Sequence, residues 1–203
     1  MKEKGRLIVI SAPSGSGKSS LINAVRKELG EDKVAYSVSH TTRPPRPGEI
    51  EGKDYHFVSQ EEFDRMVAEG EFLEWNSAFG SSYGTSGTLI AKMLENGLHV
   101  VCDVDVLGAS NIKKRFPEAV MVFIAPPDFA ILKERLMARN TDSPESVRRR
   151  LERAEEEIAQ SPMFHFLVIN DDFHKAKKEL VEIITTGKGP PMKGADFRRE
   201  FFG

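Results

Sequence analysis

The stretch Ser11-Ala12-Pro13-Ser14-Gly15-Ser16-Gly17-Lys18-Ser19-Ser20 constrains this chain more than any other. It follows a continuous, β-branched apolar run, Leu7–Ile10, which reads as a buried parallel strand. It precedes a run with Leu21, Ile22, Val25 and Leu29 on one helical face and Gly30 near its end. Strand, glycine turn and helix in that order form the context in which such a loop cradles phosphate. The glycines let backbone N–H groups turn inward, and the helix adds its positive dipole end. The usual pattern is G-x-x-x-x-G-K-[ST], and Ala12 stands at its first glycine. Lys18 is spaced to reach the β- and γ-phosphates, and the Ser19 hydroxyl to ligate Mg²⁺. A flexible Gly/Ser linker would not sit between a buried strand and an amphipathic helix. The loop alone leaves the acceptor open, since a GTPase, an ATP-driven motor or a small-molecule kinase could use it.

The rest of the chain repeats the strand–helix alternation. Strands are predicted over Val34–Ser39, Phe72–Trp75, Leu98–Val101, Val120–Ile124 and Phe166–Ile169. Helices are predicted after the Ser59/Glu62 capping box, over Thr88–Asn96, over Asp128–Arg139, from Ser143-Pro144-Glu145 onward, and over Phe173–Ile184. Thr41–Gly48 is too rich in proline for helix, and the glycines and serines of Phe79–Gly87 read as loop. The alternation implies a three-layer α/β/α fold around a central parallel sheet. Gly187–Gly203, rich in Gly, Pro and charge, reads as a mobile tail; Phe197, Phe201 and Phe202 are the residues that would dock it.

Composition narrows the class. A formal net charge of −2 gives no support to nucleic-acid binding, and no apolar run has the roughly 18–20 residues that span a bilayer. The N-terminal apolar run is too short for a signal peptide. Cys102 is the only cysteine, which excludes an intrachain disulfide and thiolate zinc sites and fits a reducing cytoplasm.

Further motifs carry a resemblance. They are Ser37-Val38-Ser39-His40-Thr41-Thr42-Arg43-Pro44-Pro45-Arg46-Pro47-Gly48-Glu49, Gly52–Val58, Phe72-Leu73-Glu74-Trp75, Tyr83-Gly84-Thr85, Asp103-Val104-Asp105, Phe123–Pro127 and Val168–Asp172. In this order, over about residues 5–186, the chain resembles the bacterial-type guanylate kinases, P-loop nucleoside monophosphate kinases that phosphorylate GMP. In that family Ala12 is a familiar variant. The resemblance implies a core (about 5–33, 88–130 and 160–186), an inserted GMP-binding subdomain (about 37–87) and a helical lid (about 131–159). It implies Ala12–Ser20, Arg135 and Asn170 for ATP, the last two at the adenine. For GMP it implies Ser39, Arg43, Arg46, Tyr55 and Tyr83 at the phosphate, and Glu74, Thr85 and Asp105 at the base. Asp103 joins Ser19 toward Mg²⁺, directly or through a water. Lys18, Arg43 and the lid arginines Arg139 and Arg150 are the implied catalytic cations.

Residue chemistry agrees. Arg43 and Arg46 offer planar, permanently charged forks for a phosphate. Guanine presents two adjacent donors, N1–H and the 2-amine, which one carboxylate can accept, whereas adenine N1 is an acceptor that the same carboxylate would repel. Arg148, Arg149 and Arg153 face glutamates along a helix and read as surface ion pairs. The five histidines show no metal spacing. The expected function is ATP-dependent conversion of GMP, and of dGMP, to GDP, with small-molecule partners only and oligomeric state undecided. The alternative is a non-catalytic, phosphopeptide-binding module of the same fold, and such modules typically lack an intact phosphate loop.

Overall fold

The computed structural model describes residues 4–78, 80–138 and 144–203. In chain order the elements are β1 (Leu7–Ser11), α1 (Lys18–Leu29), β2 (Val34–Tyr36), β3 (His40–Thr41), β4 (His56–Phe57), α2 (Gln60–Ala68), β5 (Phe72–Ala78), β6 (Ser81–Ser86) and α3 (Gly87–Glu95). They continue with β7 (His99–Asp103), α4 (Val106–Arg115), β8 (Val120–Ala125), α5 (Phe129–Met137), α6 (Pro144–Gln160), a 3₁₀ turn (Ser161–Met163), β9 (Phe166–Ile169), α7 (Phe173–Thr186) and α8 (Ala195–Phe202). The main sheet has the order β2-β7-β1-β8-β9, with β2–β7 and β8–β9 parallel. It is the expected parallel sheet of an α/β fold with flanking helices. Among the described residues no helix is long and apolar enough to cross a membrane.

The chain forms two compact units, one of Met1–Val9 with Asp32–Ala119 and one of Ile10–Glu31 with Val120–Gly203. The first carries β2 and β7 and a second sheet of order β4-β3-β6-β5. Here β6 corrects the loop expected over residues 79–87. Its residues pair antiparallel with β5, Glu74 opposite Thr85 and Asn76 opposite Tyr83. Glycine and serine suggested a loop, yet Gly84 is a packing requirement, because a Cβ there would lie 2.8 Å from the Phe72 ring. Phe72 in turn stacks on Phe63 at 4.7 Å, and with Met66 they form a small core that α2 closes. Ser59 caps α2 by accepting the Glu62 N–H.

Helix α4 had no counterpart in the sequence reading. Asp105 caps it through the Gly108 N–H at 2.8 Å, and Val106, Ala109 and Ile112 bury one face. Gly108 inside the helix obscured that periodicity, since glycine costs about 1 kcal/mol against alanine there. The β2 strand stops at Tyr36 rather than Ser39, because His40 and Thr41 already form β3 of the second sheet.

In the second unit β8 is buried along nearly its whole length, and α1, which buries Leu21, Ile22 and Val25, packs on α7, which buries Ala176, Leu180, Ile183 and Ile184. Lys177 on α7 reaches Glu28 on α1 at 2.6 Å. Asp128 and Asp172 cap α5 and α7. Residues 187–203 are not the mobile tail expected. The Leu167 N–H donates to Pro190 O and the Met192 N–H to His165 O, so the segment runs along β9. Helix α8 then buries Phe197 and Phe201 to 2% exposure. Phe197 meets Phe123 edge-on at 6.4 Å, and Phe201 meets Phe129 at 6.4 Å. An i, i+4 aromatic pair outweighs a composition that otherwise signals disorder. Phe201→Ala is expected to cost about 3–5 kcal/mol in urea denaturation. A loss below about 1 kcal/mol would show that α8 is not docked as described.

Candidate active site

The second unit holds the phosphate loop. Ser11, Ala12, Pro13 and Ser16 are buried, whereas Ser14, Ser19 and Ser20 are exposed. The Ser16 hydroxyl donates to Pro13 O at 2.7 Å, which closes the loop on itself. Gly15 and Gly17 take φ of +95° and +81°, conformations that side chains rarely adopt. A Cβ on Gly15 would press within 3.2 Å of Leu132 and Leu136 on α5, so the loop lies tight on that helix. Gly17 opens α1, which has no side-chain cap and no acidic residue in its first turn. A helix N-terminus built this way leaves its dipole for an external anion. Lys18 and Ser19 are its first two residues.

At the end of β9 stands Asn170, 7% exposed. Its Nδ2 donates to Ser16 O at 2.7 Å, its N–H to Ala125 O at 2.8 Å, and its carbonyl accepts from Arg135 Nη2 at 3.0 Å. Arg135, Asn170 and the loop are thus linked in a way the sequence did not suggest.

The first unit gathers the expected acceptor residues into two clusters. Arg43 donates from Nη2 to both oxygens of Glu49, at 2.8 and 3.0 Å, and from Nη1 to Pro44 O. It hydrogen-bonds Tyr83, and its guanidinium lies 5.4 Å from the Tyr55 ring centroid. The Tyr55 and Tyr83 rings are 6.0 Å apart. Glu49 also accepts the Arg46 N–H at 2.7 Å. The Arg43 hydrogen bond holds the Glu49 carboxyl below its usual range. Glu49 therefore preorganises the Arg43–Arg46 turn, a role the sequence reading left out. The Ser39 carbonyl accepts the His56 N–H.

The second cluster centres on Glu74, 8% exposed. Thr85 donates to its Oε1 at 2.5 Å across the β5–β6 pair. A Cβ on Gly108 would come within 3.3 Å of Glu74 Oε2 and 3.4 Å of Asp105 Oδ1. The missing side chain in α4 leaves room where these two carboxylates converge. Burial, and then Asp105, raises the Glu74 pKa against the opposing Thr85 hydrogen bond. Tyr83 and Thr85 are two apart on β6 and share a face, so the hairpin links both clusters.

Asp103 ends β7 and accepts a hydrogen bond from Tyr36, whose phenol burial and Asp103 push well above its ordinary pKa. Next to it Cys102 is fully buried, its thiol raised to about 12 by burial. His40 stacks on His56 at 4.7 Å and is drawn down to about 4 by burial and then by His56.

Arg150 lies on α6, while Arg139 and residues 140–143 lie outside the described residues. The expected surface ion pairs are present as Arg148–Glu152, Arg149–Glu145 and Arg153–Glu157. Tyr36 and Glu49 have no local sequence signature, because each acts through a partner elsewhere in the chain.

A glycine-turned loop at the start of an uncapped helix, on a parallel α/β sheet, defines a P-loop phosphate-binding protein. The family model described as Guanylate kinase matches residues 4–187. The chain is 47% identical over 184 residues to a guanylate kinase of Shewanella violacea, covering 91% of this chain and 88% of that one. It is 45% identical over 181 residues to a guanylate kinase of Rubrobacter xylanophilus, covering 89% and 94%. The crystal structure of guanylate kinase from Anaplasma phagocytophilum superposes with a TM-score of 0.70 at 28% identity, over 92% of this chain and 87% of that one. This chain belongs to the guanylate kinase family.

Proposed function

We propose that this chain transfers the γ-phosphoryl group of ATP to GMP, and to dGMP, releasing ADP and GDP. The observation that carries the acceptor is the buried Glu74, held by Thr85 beside Asp105. Its carboxylate accepts guanine N1–H and the 2-amine together, and those donors favour the ionised form that burial disfavours. Arg43, Arg46, Ser39, Tyr55 and Tyr83 hold the GMP phosphate. One of its oxygens attacks the γ-phosphorus, and the bond from that phosphorus to the β–γ bridging oxygen breaks as ADP leaves. The acceptor phosphate is already ionised near neutral pH, so no general base is needed. Lys18, Arg43, Arg139 and Arg150 neutralise charge on the moving group.

Residues 12–20 cradle the donor phosphates, and Arg135 and Asn170 take the adenine end. Residues of about 37–87 form the acceptor subdomain and about 131–159 the lid. The Ser19 hydroxyl and the Asp103 carboxylate are hard oxygen donors of the kind Mg²⁺ takes. Among the described residues no cluster of three acids, histidines or cysteines could hold a metal alone, so Ser19 and Asp103 would hold the ion together with the donor phosphates. Bound Mg²⁺ supplies charge neutralisation at the β- and γ-phosphates. Tyr36 holds the Asp103 carboxylate in place for it. The lone buried cysteine fits a cytoplasmic enzyme.

An ADP-release assay with Mg-ATP and GMP, dGMP, AMP, CMP, UMP or dTMP tests the reading. GMP is expected to lead by at least about 10²-fold in kcat/KM over AMP, because AMP leaves Glu74 facing an acceptor. AMP or a pyrimidine nucleotide outpacing GMP would overturn the acceptor assignment.

A further inference from the structure

Asn170 has a second task. Its side-chain nitrogen lies 2.7 Å from the Ser16 carbonyl, and a carbonyl only accepts, so the amide must present its nitrogen there. The residue is 7% exposed, and its own N–H and C=O are anchored to Ala125 O and Arg135 Nη2. The amide is therefore fixed at both its backbone and its tip. A Cβ on Gly17 would lie 2.4 Å from Asn170 Nδ2. Asn170 thus occupies the space a side chain at 17 would need, beyond the bar already set by φ of +81°. The described chain contains no cis peptide bonds. In a trans peptide the C=O and the following N–H point in opposite directions. Drawing the Ser16 carbonyl toward Asn170 turns the Gly17 N–H the other way.

We propose that Asn170 is a positioning residue of the phosphate loop: it holds the Ser16 carbonyl and so aims the Gly17 N–H at the donor phosphates. The inference rests on the reading of that loop as the ATP phosphate site. Asn170 acts here through Gly17, whatever it contributes at the adenine, and Arg135 steadies it from α5.

The test separates phosphate from base by using a probe that has no base. Binding of inorganic tripolyphosphate with Mg²⁺ is measured by calorimetry for the whole chain and for Asn170→Ala and Asn170→Asp. Both variants are expected to bind tripolyphosphate about 10- to 100-fold more weakly, as for loss of a hydrogen bond to a charged group. GMP binding, measured separately, should stay within about twofold, since the bonds described for Asn170 run to Ser16, Ala125 and Arg135. Unchanged tripolyphosphate affinity with weakened ATP affinity would overturn the proposal and leave only an adenine contact. Should the variants fail to fold, the Gly17 amide resonance of the unaltered protein decides. It is expected to be among those most shifted by tripolyphosphate, and a Gly17 amide that does not move overturns the proposal. If the unaltered chain binds neither ATP nor tripolyphosphate, the donor-site reading itself fails, and the proposal with it.

Discussion

Lys18→Ala is expected to lower kcat by on the order of 10³-fold or more while the protein stays folded. Lys18 is the first residue of α1, at the end of the glycine turn that the Ser16–Pro13 and Asn170–Ser16 bonds hold shut. On the proposed reading its ammonium would meet the charge that builds on the β- and γ-phosphates as the bond between them breaks, a contribution greatest in the transition state. A lysine at a helix N-terminus opposes the dipole, so alanine there is neutral or slightly stabilising without ligand. Steady-state rates with GMP, set beside the melting temperature, check both halves. A loss of less than tenfold, or one that tracks unfolding, would remove Lys18 from the chemistry.

Glu74→Gln is expected to divide activity from stability. A glutamine can accept one guanine donor but presents its own N–H₂ to the other. The kcat/KM for GMP should therefore fall by about 10²- to 10³-fold, with ATP affinity unchanged. An equal loss with every acceptor would count against reading of the base. Stability should move the opposite way. Burial, then Asp105, raises the Glu74 pKa in the fold, so the folded protein holds this proton more tightly than the unfolded chain. Ionisation thus costs nothing below the ordinary glutamate range and costs stability as pH rises through the raised value. The glutamine, which can still accept from Thr85, escapes that cost. Melting curves should show the variant more stable at pH 8 and converging with the parent by pH 4. A difference independent of pH would show that Glu74 is not strained by its burial. On the proposed reading the site keeps a carboxylate whose burial costs the fold stability, the usual relation between a binding group and its scaffold.

What was legible in the sequence follows from the range of the forces involved. The phosphate loop could be read because its requirements are local: a buried strand, two glycines, a lysine and a helix within one short segment. The parallel sheet followed from apolar runs alternating with amphipathic ones. Helix α4 was hidden by Gly108, whose purpose lies beside Glu74 on another element. Strand β6 was hidden by serines and by Gly84, whose purpose lies on Phe72. In both cases a residue that weakens its own element serves a distant partner, and propensity registers only the weakening. The Arg43–Glu49 clamp and the Tyr36–Asp103 bond had no local signature. The Asn170–Ser16 bond spans 154 positions of sequence, and no periodicity reaches that far. The proposed acceptor residues could be named only through resemblance, and the structure adds the partners of two of them: Glu49 for Arg43, Thr85 for Glu74.

The segment along β9 has one more consequence. A sheet ends safely only where its last strand cannot recruit another chain, and an uncovered β9 would offer such a template. Pro190 and Met192 exchange backbone bonds with Leu167 and His165, and Pro191 sits opposite Phe166. A proline has no N–H to extend the ladder further. A chain shortened ahead of Lys188 is therefore expected to expose the β9 edge together with Phe123 and Phe129, on which Phe197 and Phe201 pack.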